Sequence, residues 1–349
     1  MEGNSLVKAS VLALLIVIIV LGAWEIHLRN QDFPISYDDD NGSLWANKRK
    51  QVYDPMDKAT VFIGSSRNKF DIDLATWEKL TGERPVQLAI EGNSPLPILE
   101  DLAKDEKFKG KLVIDVTEGL FFSRSNNDLD IPKMYIGYYK KETPAQKASF
   151  VLNHFLESQF VFLDKKTFSI NALLDDANIP NRKGVFTVKI FPPEFTRVNF
   201  GRQVVMMKRL ETDTAIQNKV KGIWYFYSTL PHDPPLSGTS MDSMLTAVKS
   251  YTDKIKSRGG KVLFVRTPSS GPYLQAEMAG FPRQQYWERI LQTTQTAGIH
   301  FQDYPATSHF VCPENSHLKQ PDAIIWTKNL VQIMQNDKGW TFPNATLSN

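Results

Sequence analysis

Two short stretches at opposite ends of the chain carry residue types that could do acyl-transfer chemistry. The first is Val61-Phe62-Ile63-Gly64-Ser65-Ser66-Arg67, in which a β-branched strand over Ala59–Ile63 is broken by glycine and followed by two serines. A strand ending at the carboxyl edge of a parallel sheet presents its next residues in the crevice where α/β folds bind ligands. The second is Glu314-Asn315-Ser316-His317-Leu318, with an acid three residues before a histidine, just ahead of a closing helix. One turn could aim the Glu314 carboxylate at the His317 imidazole, and His317 could take the proton of a serine hydroxyl. A Gly-Ser-Ser triplet alone is ordinary turn chemistry. Its combination with Glu314 and His317 makes Ser66 the candidate nucleophile.

The order of these stretches resembles the SGNH (GDSL-like) hydrolase superfamily. Gly64-Ser65-Ser66-Arg67 would be its first block, with Ser66 as the nucleophile and Ser65 replacing the aspartate. Glu314-x-x-His317 would be its last block, with glutamate for aspartate. Ala89-Ile90-Glu91-Gly92-Asn93-Ser94 looks like the second block, in which the Gly92 amide would join the Ser66 amide as an oxyanion donor. Asn93 is either a third donor or the cap of the next helix. The third block falls near Val116-Thr117-Glu118-Gly119, where Glu118, an acceptor, stands in place of the family's asparagine donor. The resemblance covers about 59–118 and 240–336. It implies a flavodoxin-like three-layer sandwich, an acyl-Ser66 intermediate and no cofactor. The missing donor implies slow turnover on small esters.

Arg67 and Arg266 would both face the crevice, where either could bind a substrate carboxylate bidentately or pair with Glu118 or Asp115. His300, His309 and His317 suggest no tetrahedral metal set. The single Cys312 excludes an internal disulfide framework and a cysteine-rich metal site.

The elements that must position these residues follow an αβ rhythm. Strands are predicted at Ala59–Ile63, Val86–Ile90, Lys111–Val116, Lys261–Val265 and Ile299–Phe301. Helices are predicted near Leu74–Leu80 within a helix-like segment Asp71–Leu80, from Pro97 to Lys104, from Met241 to Ile255 behind a Ser240 cap, over Gln284–Thr296 and over Gln320–Met334. Such alternation argues for an α/β fold with a doubly wound, mainly parallel sheet. Residues 119–238 lose the rhythm and read as an insertion or lid after the third strand. Within it Phe150–Phe162 could be a helix, and Val185–Ile190 and Ile223–Tyr227 could be strands.

The chain has 349 residues, is 42% hydrophobic and carries a net charge of +3, which allows a sizeable core and gives no argument for nucleic acid. Residues 5–25 are apolar enough to cross a bilayer. No small-x-small cleavage site follows, Leu21 and Ala23 being the flanking pair, so an uncleaved signal anchor is expected over a cleaved signal peptide. Residues 26–55, with Asp38-Asp39-Asp40 and Lys48-Arg49-Lys50, read as a solvated stalk before a domain at 56–340. The resulting expectation is a single-pass protein of a Gram-negative inner membrane, facing the periplasm. It would act on acyl, chiefly acetyl, esters of an envelope carbohydrate. By analogy with membrane-anchored relatives it could stand beside a multipass acyltransferase. The competing expectation is a non-catalytic scaffold or binding module of a polysaccharide assembly.

Overall fold

A computed structural model describes residues 2–31, 40–55, 58–123, 125, 127–177, 184, 189–231 and 233–344. These form two compact units, one of residues 1–39 with 144–186 and one of residues 40–143 with 187–349.

The larger unit is built on five parallel strands: β1 (Ala59–Ile63), β2 (Arg84–Gln87), β3 (Lys111–Asp115), β6 (Lys261–Arg266) and β7 (Gly298–His300). Their order is β2-β1-β3-β6-β7. The register pairs Val61 with Val86 and Leu112, and Val113 with Leu263. The direction of winding reverses between β1 and β3, the kind of point where doubly wound sheets open a crevice. A small antiparallel pair, β4 (Arg197–Val198) and β5 (Val204–Val205), lies in the segment between β3 and β6.

β1 and β3 are buried along their whole length and β6 from Val262 onward, as a parallel sheet covered on both faces requires. Alternate residues feed two cores. Val61, Ile63, Leu112, Ile114, Val262 and Phe264 pack with the helices Leu96–Lys104, Gly238–Ser257 and Trp287–Thr294. Phe62, Val113, Leu263 and Val265 pack with the helices Leu74–Thr81 and Gln320–Asn336. The expected α/β class with a doubly wound parallel sheet is therefore present. Phe62 meets Trp77 edge to face at 4.8 Å, a contact whose truncation to alanine costs about 3–5 kcal/mol in such cores.

Several local expectations are corrected. The helix expected near Leu74–Leu80 is present as Leu74–Thr81, but Asp71 ends a separate helix, Ser66–Asp71, because the Asp73 side chain accepts from the Thr76 amide at 2.8 Å and starts a new one. The second strand ends at Gln87 rather than Ile90. Ser237, not Ser240, precedes the helix Gly238–Ser257. Ile223–Tyr227 is not a strand but the end of the helix Thr214–Ser228, opened by Asp213, which accepts from the Ala215 amide at 2.8 Å. Of Val185–Ile190, residues 185–188 lie outside the described residues.

The stalk is corrected too. Residues 32–39 lie outside the described residues, but Gly42–Arg49 is a helix capped by Asn41. Leu44, Trp45 and Ala46 are buried in it, and the Trp45 indole donates to the Leu88 carbonyl at 3.0 Å. Arg49, read as part of a solvated charge run, is buried against Asp101 and Asp105 at 2.9 and 2.8 Å. The expected insertion is divided between the two units. Residues 119–143 and 187–238 belong to the larger unit, and 144–186 to the smaller.

In the smaller unit the helix Glu2–Arg29 is long and apolar enough over Ser5–Arg29 to cross a membrane. The helix Pro144–Glu157, a 3-10 turn at Val161–Leu163 and the helix Ile170–Asp176 accompany it. Glu25 accepts from the Val161 and Phe162 amides at 3.0 and 3.2 Å, and Arg29 donates to the Gln159 carbonyl at 2.6 Å.

Candidate active site

Gly64 ends β1 in contact with β3. A Cβ there would stand 2.6 Å from Cβ of Asp115 and 3.0 Å from Cβ of Asn68, so only glycine allows the chain to leave the strand at this point. Ser65 is then locked beneath the loop. Its hydroxyl meets Thr117 Oγ1 at 2.7 Å and Asp115 Oδ2 at 3.2 Å. Burial raises the Asp115 carboxyl above its ordinary range, against the pull of Arg67 and the Thr117 hydroxyl. Ser66 follows as the first residue of the helix Ser66–Asp71, where its amide has no acceptor within the helix.

At the other end of the chain, His317 lies in the turn before the helix Gln320–Asn336 and is 1% exposed. Its Nε2 is 2.9 Å from the Ser66 hydroxyl oxygen, and its Nδ1 is 2.9 Å from Glu314 Oε1. With the proton on Nδ1 donated to Glu314, Nε2 is free to accept from Ser66. The structure thus brings Ser66, His317 and Glu314 together as a continuous hydrogen-bonded relay. The longer glutamate side chain is held without slack. Oε1 also accepts from the backbone amides of Ser316 at 3.3 Å and His317 at 2.6 Å, and Oε2 accepts from the Trp224 indole.

An aromatic wall encloses the imidazole. Phe70 is 4.3 Å from the His317 ring, Phe195 5.7 Å and Trp224 6.0 Å, centroid to centroid. None of these three was singled out from sequence. Trp224 was hidden by reading its helix as a strand, although Asp213 and the spacing of Ile216, Val220, Ile223 and Tyr227 signal a capped helix.

Gly92 lies in the turn after β2, in the left-handed region at φ +64° with open space where a Cβ would stand. Its loop is fastened to the serine loop by the Ile90 amide, which donates to the Gly64 carbonyl at 3.1 Å. Asn93 is buried, and its side-chain nitrogen donates back to the Glu91 carbonyl at 2.7 Å, bracing that turn. It does not cap the helix Leu96–Lys104, which Pro95 precedes.

Glu118 opens a short helix, Glu118–Phe121, and is buried. Both its oxygens are held by Arg266 Nε, at 3.0 and 3.1 Å. Arg266 uses its remaining nitrogens on the Thr267 carbonyl, the Ser269 hydroxyl and Glu277 Oε2, the last at 2.7 Å. Arg266, expected to bind substrate, is therefore filled by protein partners. Arg67 is committed in part: it pairs with Glu277 Oε1 and donates to the Ser316 hydroxyl at 3.3 Å, with its plane 5.4 Å from the Tyr273 ring. Its Nη1 is buried and has no hydrogen-bond partner among the described residues.

Glu277, another residue not singled out from sequence, therefore joins two arginines. Burial alone would raise its carboxyl, but Arg266 and then Arg67 hold it down at about 2. Glu118 is raised by desolvation, with Arg266 opposing, Glu277 adding to the rise and Arg67 opposing in turn.

His300 and His309 stand apart from this relay. His300 accepts from the Gln302 amide at 3.2 Å, and burial, with Arg266 and Arg283 beside it, lowers its imidazole to about 3. His309 is exposed and meets the Pro305 carbonyl at 3.2 Å. Cys312 is buried, which pushes its thiol well up. No protein-family model and no curated protein matches the chain.

Proposed function

We propose that the chain is an SGNH-like, membrane-anchored serine esterase or O-acyltransferase acting on acyl, chiefly acetyl, esters of a cell-envelope carbohydrate. The observation that carries this reading is the Ser66–His317–Glu314 relay, with 2.9 Å at each of its two steps. Ser66 Oγ would attack the ester carbonyl while His317 Nε2 takes its proton. The resulting imidazolium is stabilised by Glu314. The oxyanion would be met by the Ser66 and Gly92 amides. His317 then returns the proton to the leaving alcohol, which departs from an acyl-Ser66. Attack by water on that ester makes the reaction hydrolysis, and attack by a sugar hydroxyl makes it transfer. No step of this sequence requires a cofactor.

The anchor at residues 5–25 would hold the catalytic unit at the periplasmic face of an inner membrane, beside a multipass acyltransferase if the acyl group crosses the bilayer. A second reading, a non-catalytic scaffold or binding module of a polysaccharide assembly, is favoured by Glu118. The side chain at the third-block position is an acceptor bound to Arg266 rather than a donor. Covalent labelling by a fluorophosphonate probe separates the two readings. Labelling of the parent and its loss in Ser66→Ala is expected. A folded parent that is not labelled would leave the scaffold.

A further inference from the structure

The smaller unit exposes an apolar surface that the acyl chemistry does not use. On the helix Pro144–Glu157, Ala148, Val151, Leu152, Phe155 and Leu156 recur at i, i+3, i+4, i+7 and i+8, all exposed, while Phe150 is buried. Val151 and Leu152 are each 64% exposed and Phe155 62%. The helix Ile170–Asp176 repeats the device with Ile170, Leu173 and Leu174 at i, i+3 and i+4, exposed by 76, 59 and 54%. Phe160 lies exposed between the two helices. Most exposed large apolar side chains in the other unit, such as Tyr53, Met278 and Val311, are scattered singly along the chain, Ile131 and Met134 being a pair at i and i+3 on the helix Asn127–Lys141.

The position of this surface is set by the membrane-length helix. Its 25-residue candidate span, Ser5–Arg29, extends about 37 Å at 1.5 Å per residue, more than the roughly 30 Å of a hydrocarbon core. Its last turns therefore stand at headgroup level. There Glu25 and Arg29 clasp the backbone of Gln159, Val161 and Phe162, the first part of the segment that joins the two amphipathic helices through the short helix Lys165–Phe168. Helices with one apolar and one polar face, held at that depth, lie in the interface plane with the apolar face sunk among the acyl chains.

We propose that the apolar faces of Pro144–Glu157 and Ile170–Asp176 are a second membrane contact, seated in the leaflet from which the anchor helix emerges. The occupant is lipid. It is favoured over a protein partner by the direct bonds between the anchor's end and the segment that joins the two helices. The consequence is a protein held to the bilayer along a surface as well as through a span, which would limit its motion relative to that surface. This inference rests on the anchor reading of residues 5–25.

The test uses the full chain in nanodiscs of phosphatidylethanolamine and phosphatidylglycerol, with nitroxide labels placed singly by Leu152→Cys, Phe155→Cys and Leu173→Cys. The native Cys312 is buried. Val17→Cys reports the anchor, and Thr246→Cys, exposed on the helix Gly238–Ser257, reports bulk water. The expected result is loss of relaxation by an aqueous nickel complex and gain of relaxation by oxygen at positions 152, 155 and 173, relative to 246. Nickel accessibility there equal to that at 246 overturns the proposal, as does protection from both reagents, the signature of a protein–protein contact. An aqueous label at position 17 would instead overturn the anchor.

Discussion

The indole of Trp224 donates to Oε2 of Glu314, the oxygen that His317 does not use. Trp224 comes from the irregular region between β3 and β6, and Glu314 from the loop before the last helix, so the relay's acid is oriented by a segment remote in sequence. Hydrogen bonds to a charged group contribute about 1.5–3 kcal/mol. Trp224→Phe keeps an aromatic ring against His317 and removes only the donor. Its expected effect is a roughly 10-fold to 100-fold slower modification of Ser66, read as the time course of fluorophosphonate labelling, with a Tm lowered by a few degrees. Labelling at the parental rate would make Trp224 a packing residue alone.

Glu314→Gln tests the acid itself. The amide can present either an oxygen or an NH2 to Nδ1, and loses the charge that stabilises the imidazolium. Labelling should fall by about 10³–10⁴-fold, the scale seen when a triad acid becomes its amide. Glu314→Asp retains the charge but is a methylene shorter, so it should fall between the two. A Glu314→Gln protein labelled as fast as the parent would remove Glu314 from the relay.

Glu118 poses a different question, because it stands where the resemblance would place an asparagine donor. Both its oxygens are instead bonded to Arg266, within a buried set in which Arg67 and Arg266 face Glu118 and Glu277. Replacing Glu118 leaves two buried guanidinium groups against one carboxylate. Breaking a buried pair typically costs about 3–5 kcal/mol. Glu118→Asn should therefore lower Tm by several degrees in a calorimetric scan, and hydrolysis of p-nitrophenyl acetate should not increase. Faster hydrolysis by a folded Glu118→Asn would place the carboxylate in the hole after all.

The parallel sheet and the relay were legible because each rests on short-range signals: β-branched runs closed by glycine, and an acid three residues before a histidine. Ser66, Glu314 and His317 meet as their spacing suggested. Residues that act through tertiary pairing were not legible. Arg67 and Arg266 look like ligand-binding cations until Glu277 is found between them, on the helix Gly271–Gly280, which carries no strong periodic pattern. Arg49 and Trp45 lie in a run of charges that hides a capped, buried helix. Trp224 was lost because aromatic and β-branched residues at Ile223–Tyr227 satisfy strand propensity, while burial at Val220 and Ile223 follows helical spacing.

A last expectation concerns Asp71, which closes the helix that Ser66 opens and bonds to the turn that holds His317. Its Oδ1 accepts from the Leu318 amide at 3.0 Å, whereas its Oδ2 is buried without a hydrogen-bond partner among the described residues. Burial raises its carboxyl to about 7, with His317 and the Leu318 amide opposing the rise. In the unfolded chain it would titrate near the ordinary value of about 3.9. Between these values the folded protein holds a proton that the unfolded chain has released. The stabilising contribution is thus complete below about pH 4, declines as pH rises, and is gone above about 7. The full span is on the order of 4 kcal/mol. Asp71→Asn keeps an oxygen for Leu318 and cannot ionise. Urea unfolding of the full chain in detergent, followed by tryptophan fluorescence, should show this variant gaining stability on the parent by about 2 kcal/mol or more between pH 5 and pH 8. A difference between variant and parent that stays constant across that range would mean that Asp71 is already ionised in the folded protein at pH 5.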